Sequence, residues 1–169
     1  MNSFDDWLRK LDEMKHFDPE RALPESLVTR SDSARWLGPE LTGNAALVGV
    51  LSDVPARSME FYLQEIPPQS ASDLQRHLHE SVHCVTAGSG YSEIGGETVR
   101  WETGDFIYTP PMVWHRHYND GQDSVHMILV ENSRLLDGLG INRRETAGNI
   151  TYAEYKNGDD DGNSQSGER

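Results

Sequence analysis

From about residue 46 the chain breaks into short apolar or alternating runs, "ALVGVLS", "SMEFYLQEI", "SVHCVTA", "YSEI", "TVRW", "DFIYTP" and "SVHMILVEN", each closed by Gly, Pro, Asp or Asn. Runs of this length with turn residues between them are strands, and many short strands in succession require an antiparallel sandwich or barrel. Gly95-Gly96 in "IGGET" stands between two such runs, the signal of a two-residue hairpin, and "ETGDF" marks a second tight turn. The predicted class is all-β.

The flanks read differently. Phe4, Trp7, Leu8 and Leu11 recur at helical spacing behind Ser3, with Asp6 three residues further on, which predicts an amphipathic helix over residues 3–15. Pro19, Pro24 and Pro39 then limit any helix, and residues 1–45 are expected to form an N-terminal helix and arm that docks Trp36 and Leu37 onto the main domain. Residues 46–145 are the expected barrel. Within them "NSRLLDGLGINRRE" is a short helix or turn, and residues 146–169 form a C-terminal extension, expected to be disordered from about 156, where the chain turns acidic and polar.

Composition narrows the function. The chain has 169 residues, with 28 acidic against 15 basic side chains and a formal charge of −13. No Lys/Arg cluster is present to follow a phosphate backbone or an anionic membrane surface, so neither nucleic acid nor membrane is an expected partner. The first residues lack the pattern of a signal peptide and no run of about 18 apolar residues occurs, which leads to the expectation of a soluble cytoplasmic protein. The single cysteine, Cys84, excludes an internal disulfide framework, and any metal is to be held by histidine and carboxylate.

The segment "LQRHLHESVHCVTAGSG" places His77, His79 and His83 within seven positions. On an unbroken strand these three, with Ser81, share one face. One histidine on a polar face is ordinary, but three together with His115 downstream call for a reason. Neutral imidazoles two residues apart can converge on one ion, so the pattern predicts a mononuclear metal site inside a β-barrel.

The same residues resemble the cupin family. The first cupin motif is a His-x-His pair, then Glu after three or four residues, then Gly six residues later; His77 and His79 match the pair, His83 stands where Glu is usual, and Gly90 follows. "GDFIYTPPMVWHRHYN" resembles the second motif, with Gly104, Pro110, His115 and Asn119 at its spacings and Met112 in place of its second Gly. "TPPMVWHRHYNDG" is similar to the gentisate 1,2-dioxygenase-like branch. The resemblance covers about residues 55–131.

What it implies is a single cupin barrel, a double-stranded β-helix or jelly-roll, with Fe(II) held by His77, His79 and His115; Zn, Ni or Mn are alternatives. The implied reaction is ring cleavage by O2 of a small hydroxylated aromatic acid that chelates the iron. His83 has three open roles: fourth ligand, unbound catalytic base, or outward-facing residue. His117, on the same strand face as His115, is read as a catalytic group that hydrogen-bonds substrate or oxygen near the metal. Phe106, Tyr108, Trp114 and Met127 are the expected substrate-binding walls, and Arg57, Arg76, Arg100 and Arg116 are candidates to pair a substrate carboxylate. His126 is expected in the core. The alternative is a non-redox cyclase, isomerase or lyase in which Zn or Ni polarises a carbonyl substrate; a metal-bound sensor without turnover is a third reading. Single-domain cupins commonly pair through an N-terminal strand, which predicts a homodimer.

Overall fold

The computed structural model describes residues 3–16 and 23–163. In chain order it contains α1 (Ser3–Lys15), a single 3-10 turn at Ser31–Ser33, β1 (Arg35–Leu37), α2 (Pro39–Thr42), β2 (Leu47–Val50), β3 (Glu60–Ile66), β4 (Ser70–Ala71), β5 (Leu74–His77) and β6 (Ser81–Ala87). Then follow β7 (Ser89–Ile94), β8 (Glu97–Glu102), β9 (Phe106–Thr109), β10 (His115–Asn119), β11 (Val125–Glu131), α3 (Ser133–Gly138), β12 (Arg144–Gly148) and α4 (Tyr152–Asn163). Every alternating run named above lies on a strand. Two antiparallel sheets result, one ordered β1-β2-β3-β11-β6-β9 and the other β12-β5-β10-β7-β8 with β4 beside β10.

The two glycine turns work as their sequences require. Gly95 and Gly96 take φ of 61° and 92°, and Ile94 pairs directly with Glu97 across the β7–β8 hairpin; two successive positive φ values suit glycine and match the twist of the strands. Gly90 serves another purpose. A Cβ there would lie 2.2 Å from the Tyr118 carbonyl oxygen and 2.6 Å from the Trp101 ring, so only glycine lets β7 and β10 approach this closely.

Strand alternation sorts the side chains. On β11, Val125, Met127 and Leu129 are buried while His126 and Ile128 face outward. His126 is therefore exposed, not a core residue: it sits one position out of phase with the inward set. Ala46, Ile66, Val85, Trp101, Ile107, Val125, Met127 and Leu129 form the apolar core, in which full burial of a Val, Leu, Ile or Met side chain contributes about 1.5–3 kcal/mol. Leu74 is buried apart from this cluster, and the polar part of the interior includes His77, His79, Ser81, His83, Ser92, Thr109, His115, His117 and Asn119.

At the N-terminal end, α1 runs over Ser3–Lys15 and buries none of its residues. The arm adds β1 to the edge of β2, with Trp36 opposite Gly49 and its ring lying against it, so the strands of the sheet begin before residue 46. At the other end, Thr151 and Glu154 form a reciprocal capping pair, the Thr151 N–H donating to the Glu154 carboxylate at 2.7 Å and the Glu154 N–H to Thr151 Oγ1 at 3.2 Å. That cap starts α4, which continues to Asn163 where disorder from about 156 was expected from composition; residues 164–169 lie outside the described residues. Among the described residues no helix is long and apolar enough to cross a membrane.

Candidate metal centre

The three clustered histidines do not lie on one unbroken strand. β5 ends at His77 in one sheet and β6 begins at Ser81 in the other, so the chain crosses between sheets through residues 78–80. The corner is pinned: Leu78 N–H donates to the Arg143 carbonyl at 2.8 Å, and Glu80 N–H to Asn132 Oδ1 at 2.9 Å. His77 thus enters the barrel from one sheet, His83 from the other, and His79 sits at the turn between them. β10 supplies His115 and His117, both wholly buried and on the same face.

Hydrogen bonds orient the rings. His77 Nδ1 lies 2.8 Å from the His79 carbonyl oxygen, and His115 Nδ1 lies 3.0 Å from that of Val113. A carbonyl only accepts, so Nδ1 carries the proton in both and Nε2 keeps its lone pair. His115 Nε2 is buried with no partner among the described residues. A donor atom left bare in a dry interior, on a ring fixed through its other nitrogen, is the arrangement expected of a metal ligand. The His77 and His79 rings stack 3.7 Å apart, and His115 meets His77 edge-on at 4.7 Å.

A carboxylate joins them. His77, His79 and Glu131 offer ligand atoms that all lie within 4.8 Å of one another, and Glu131 Oε2 is 3.1 Å from His79 Nε2. Glu131 was not among the sequence candidates. The signal was present, because it continues the inward series Val125, Met127, Leu129 by two more positions at the end of β11. Its position is next to Ser81 in register, so β11 brings a carboxylate close to the place where the first motif has lost one.

His83 and His117 form a second pair, rings 4.4 Å apart, with His117 5.7 Å from His115. His83 Nε2 lies 3.1 Å from Ser81 Oγ and His117 Nδ1 2.7 Å from Ser92 Oγ; His83 Nδ1 and His117 Nε2 have no partner among the described residues. His83 faces the interior, which removes the outward-facing alternative.

Burial sets the charge of the cluster. Desolvation lowers His77 to about 4 and His83 to about 3, with neighbouring imidazoles adding to it, and it holds His115 and His117 well below the usual imidazole range. His79 is the exception: burial opposes its charge, but the hydrogen bond and negative charge of Glu131 outweigh that and raise it. Burial likewise pushes Glu131 up, and the bond and charge of His79 overcome this and lower it. Four neutral imidazoles beside one ion pair are chemically ready to bind a cation, since ligands must be deprotonated to coordinate.

The expected walls divide. Met127 faces inward and is buried in the apolar core. Phe106 and Tyr108, however, are 72% and 48% exposed, because on β9 it is Ile107 and Thr109 that face inward. Trp114 likewise precedes the inward His115 and packs outside, against Tyr155 and under the Arg76 guanidinium. The arginine candidates are engaged elsewhere: Arg76 with Glu145, Arg100 with Asp120, and Arg116 with the Ser72 carbonyl and Asn149, while Arg57 is exposed. Arg144, opposite His77 in register, is the cation whose charge reaches His77, His79 and Glu131.

The sequence profile of the cupin domain matches residues 62–131. A gentisate 1,2-dioxygenase of Aquipseudomonas alcaligenes is 37% identical over 59 residues, 34% of this chain and 17% of that protein. A 1-hydroxy-2-naphthoate 1,2-dioxygenase of a Nocardioides species is 31% identical over 102 residues, 59% of this chain and 24% of that protein. The chain therefore spans a quarter or less of the length of these relatives. Among solved structures, a cupin-2 domain protein of Rhodospirillum rubrum superimposes with a TM-score of 0.59 at 18% identity, covering 79% of this chain and 86% of that one. A polyketide cyclase of Streptomyces resistomycificus gives 0.54 at 16% identity over 62% and 77% of the two chains. Over residues 62–131 the chain is similar to the cupin domain, and within that family it resembles the gentisate dioxygenase branch.

Proposed function

We propose that this chain is an Fe(II)-dependent oxygenase that opens the ring of a small hydroxylated aromatic acid. The observation that carries the reading is the cluster of buried, ring-fixed histidines with bare nitrogens, in a cupin domain whose curated relatives include ring dioxygenases. His77, His79 and His115 would hold the iron, and Glu131 becomes available to it once the proton on His79 Nε2 is displaced. Bound there, the metal would supply a centre that activates O2 and takes the chelating oxygens of the substrate. The remaining steps fall to the protein. His83 and His117 stand beyond these ligands, neutral at physiological pH, one to hold or move a proton and the other to orient the substrate. The apolar cluster of Val85, Ile107, Met127 and Leu129 excludes water. Arg144, whose charge reaches His79, offers a positive charge for a substrate carboxylate.

A second reading has its own support. A carboxylate in the ligand set leaves fewer open positions, and the fold is shared with a polyketide cyclase; a non-redox cyclase, isomerase or lyase with Zn or Ni fits both. The test is elemental analysis of anaerobically purified protein, followed by oxygen-electrode traces on a panel of hydroxylated aromatic acids after Fe(II) reconstitution. Stoichiometric iron with uptake that His115→Ala abolishes is the expected result. Tightly held zinc or nickel and no uptake on any substrate would favour the second reading.

A further inference from the structure

The two histidines of β10 are fixed by different partners. His115 Nδ1 faces a carbonyl, whereas His117 Nδ1 faces the hydroxyl of Ser92 at 2.7 Å. Ser92 Oγ also receives the Trp101 indole N–H at 2.8 Å, and Ser92 and His117 are wholly buried with Trp101 nearly so. The indole can only donate, so Ser92 is its acceptor. The Ser92 hydroxyl proton then needs an acceptor of its own, and among the described residues His117 Nδ1 is the one in reach. The opposite assignment, with Nδ1–H donating to Ser92, would give that oxygen two donors and leave its own proton unpaired in a dry interior, which folded proteins avoid.

We infer that the relay Trp101→Ser92→His117 locks His117 as the Nε2–H tautomer, aiming an N–H donor into the cavity, so that His117 receives an anionic substrate oxygen and is not a metal ligand. One cavity thus holds imidazoles of two kinds. Where Nδ1 meets a carbonyl, as in His77 and His115, Nε2 is a bare lone pair for a cation; where it meets a hydroxyl whose lone pair is already engaged by an indole, Nε2 is a donor for an anion. A carboxylate or phenolate fits such a donor, and Nε2 has no partner among the described residues. Ser92 and Trp101 are positioning residues, acting through His117. The tautomer rests on the hydrogen bonds alone; its use in holding substrate rests on the metal-dependent reading above.

The experiment is a long-range proton–nitrogen correlation spectrum of the full chain with labelled histidine, metal-free and zinc-loaded, with His117 assigned by its loss in His117→Gln. Nε2 of His117 should carry the proton in both states, while Nε2 of His77 and His115 is bare without zinc and shifts when zinc binds. Trp101→Phe, which removes only the indole N–H, should turn the His117 signal into a tautomer mixture, and Ser92→Ala should do the same with zinc stoichiometry unchanged. Salicylate, as the anionic probe, should bind the zinc-loaded His117→Gln protein roughly tenfold more weakly than the parent, the effect of losing one hydrogen bond to a charged group. A proton on Nδ1 of parent His117, or a zinc-induced shift at its Nε2, would overturn the tautomer assignment; unchanged salicylate affinity would overturn the donor role. A failed oxygen-uptake assay with the tautomer as stated would refute the oxygenase reading and leave this one standing.

Discussion

Acidifying the metal-free protein should destabilise it well above the pH at which its carboxylates titrate. His77 and His83 fall from about 6.5 in the unfolded chain to about 4 and about 3 in the fold, chiefly because burial penalises their charged forms. The unfolded state therefore binds protons that the native state refuses, and stability drops as pH falls below 6.5. Proton linkage over these shifts gives a loss of about 2 kcal/mol for each residue between pH 8 and pH 5, or about 4 kcal/mol for the pair. His115 and His117, also held well below the usual range, add to it in the same direction. Two groups act differently. His79, raised by Glu131, contributes stability that is present below 6.5 and offsets part of the loss; Glu131, lowered, keeps its contribution until the pH falls below about 4.5. Against a typical total of about 5–15 kcal/mol, the net loss is large. Urea midpoints of chelator-treated protein from pH 8 to pH 5 measure it, and His83→Gln, which cannot be protonated, should flatten the profile by about 2 kcal/mol. A parent profile level to within about 1 kcal/mol, or identical slopes for parent and variant, would refute the reasoning.

Other outcomes follow from single residues. Glu131→Gln should weaken metal binding by about 10–100-fold, measured by competition with a chelating dye, because the neutral amide no longer serves the ion or the His79 ring. Met112 takes a φ of 57°, so Met112→Val, with its branched Cβ, should cost about 1–2 kcal/mol in chemical denaturation while Met112→Gly stays within about 1 kcal/mol of the parent. Sedimentation at micromolar concentration should show a homodimer, and a monomer would count against the pairing proposed for the N-terminal arm.

Much of the barrel could be read from the sequence because period-2 alternation and glycine turns are local signals. The runs that became β6 and β11 alternate inward and outward residues along their length, and Gly95-Gly96 fixes its hairpin without help from the rest of the fold. The short strands β5, β10 and β12 were harder, since each has few residues and its pairing partner is distant: β12 meets β5 across about 70 positions of chain. The helix α4 was missed because an acidic composition hid the Thr151–Glu154 cap.

The buried histidines of the site were legible in the sequence and its walls were not, and the reason is phase. His77, His79 and His115 could be placed by motif, whereas Phe106, Tyr108 and Trp114 were chosen for being aromatic and near the motif. On β9 the register is set by pairing with β6, where Val82 lies opposite Tyr108 and His83 opposite Ile107. Once His83 faces inward, Ile107 must do so too, and Phe106 and Tyr108 must face out. The same constraint, carried across β6 to β11, aligns His83 with Leu129 and puts Glu131 beside Ser81. One inward histidine on β6 thus determines the faces of its two neighbouring strands, excludes two aromatic residues from the cavity, and places a carboxylate near His79.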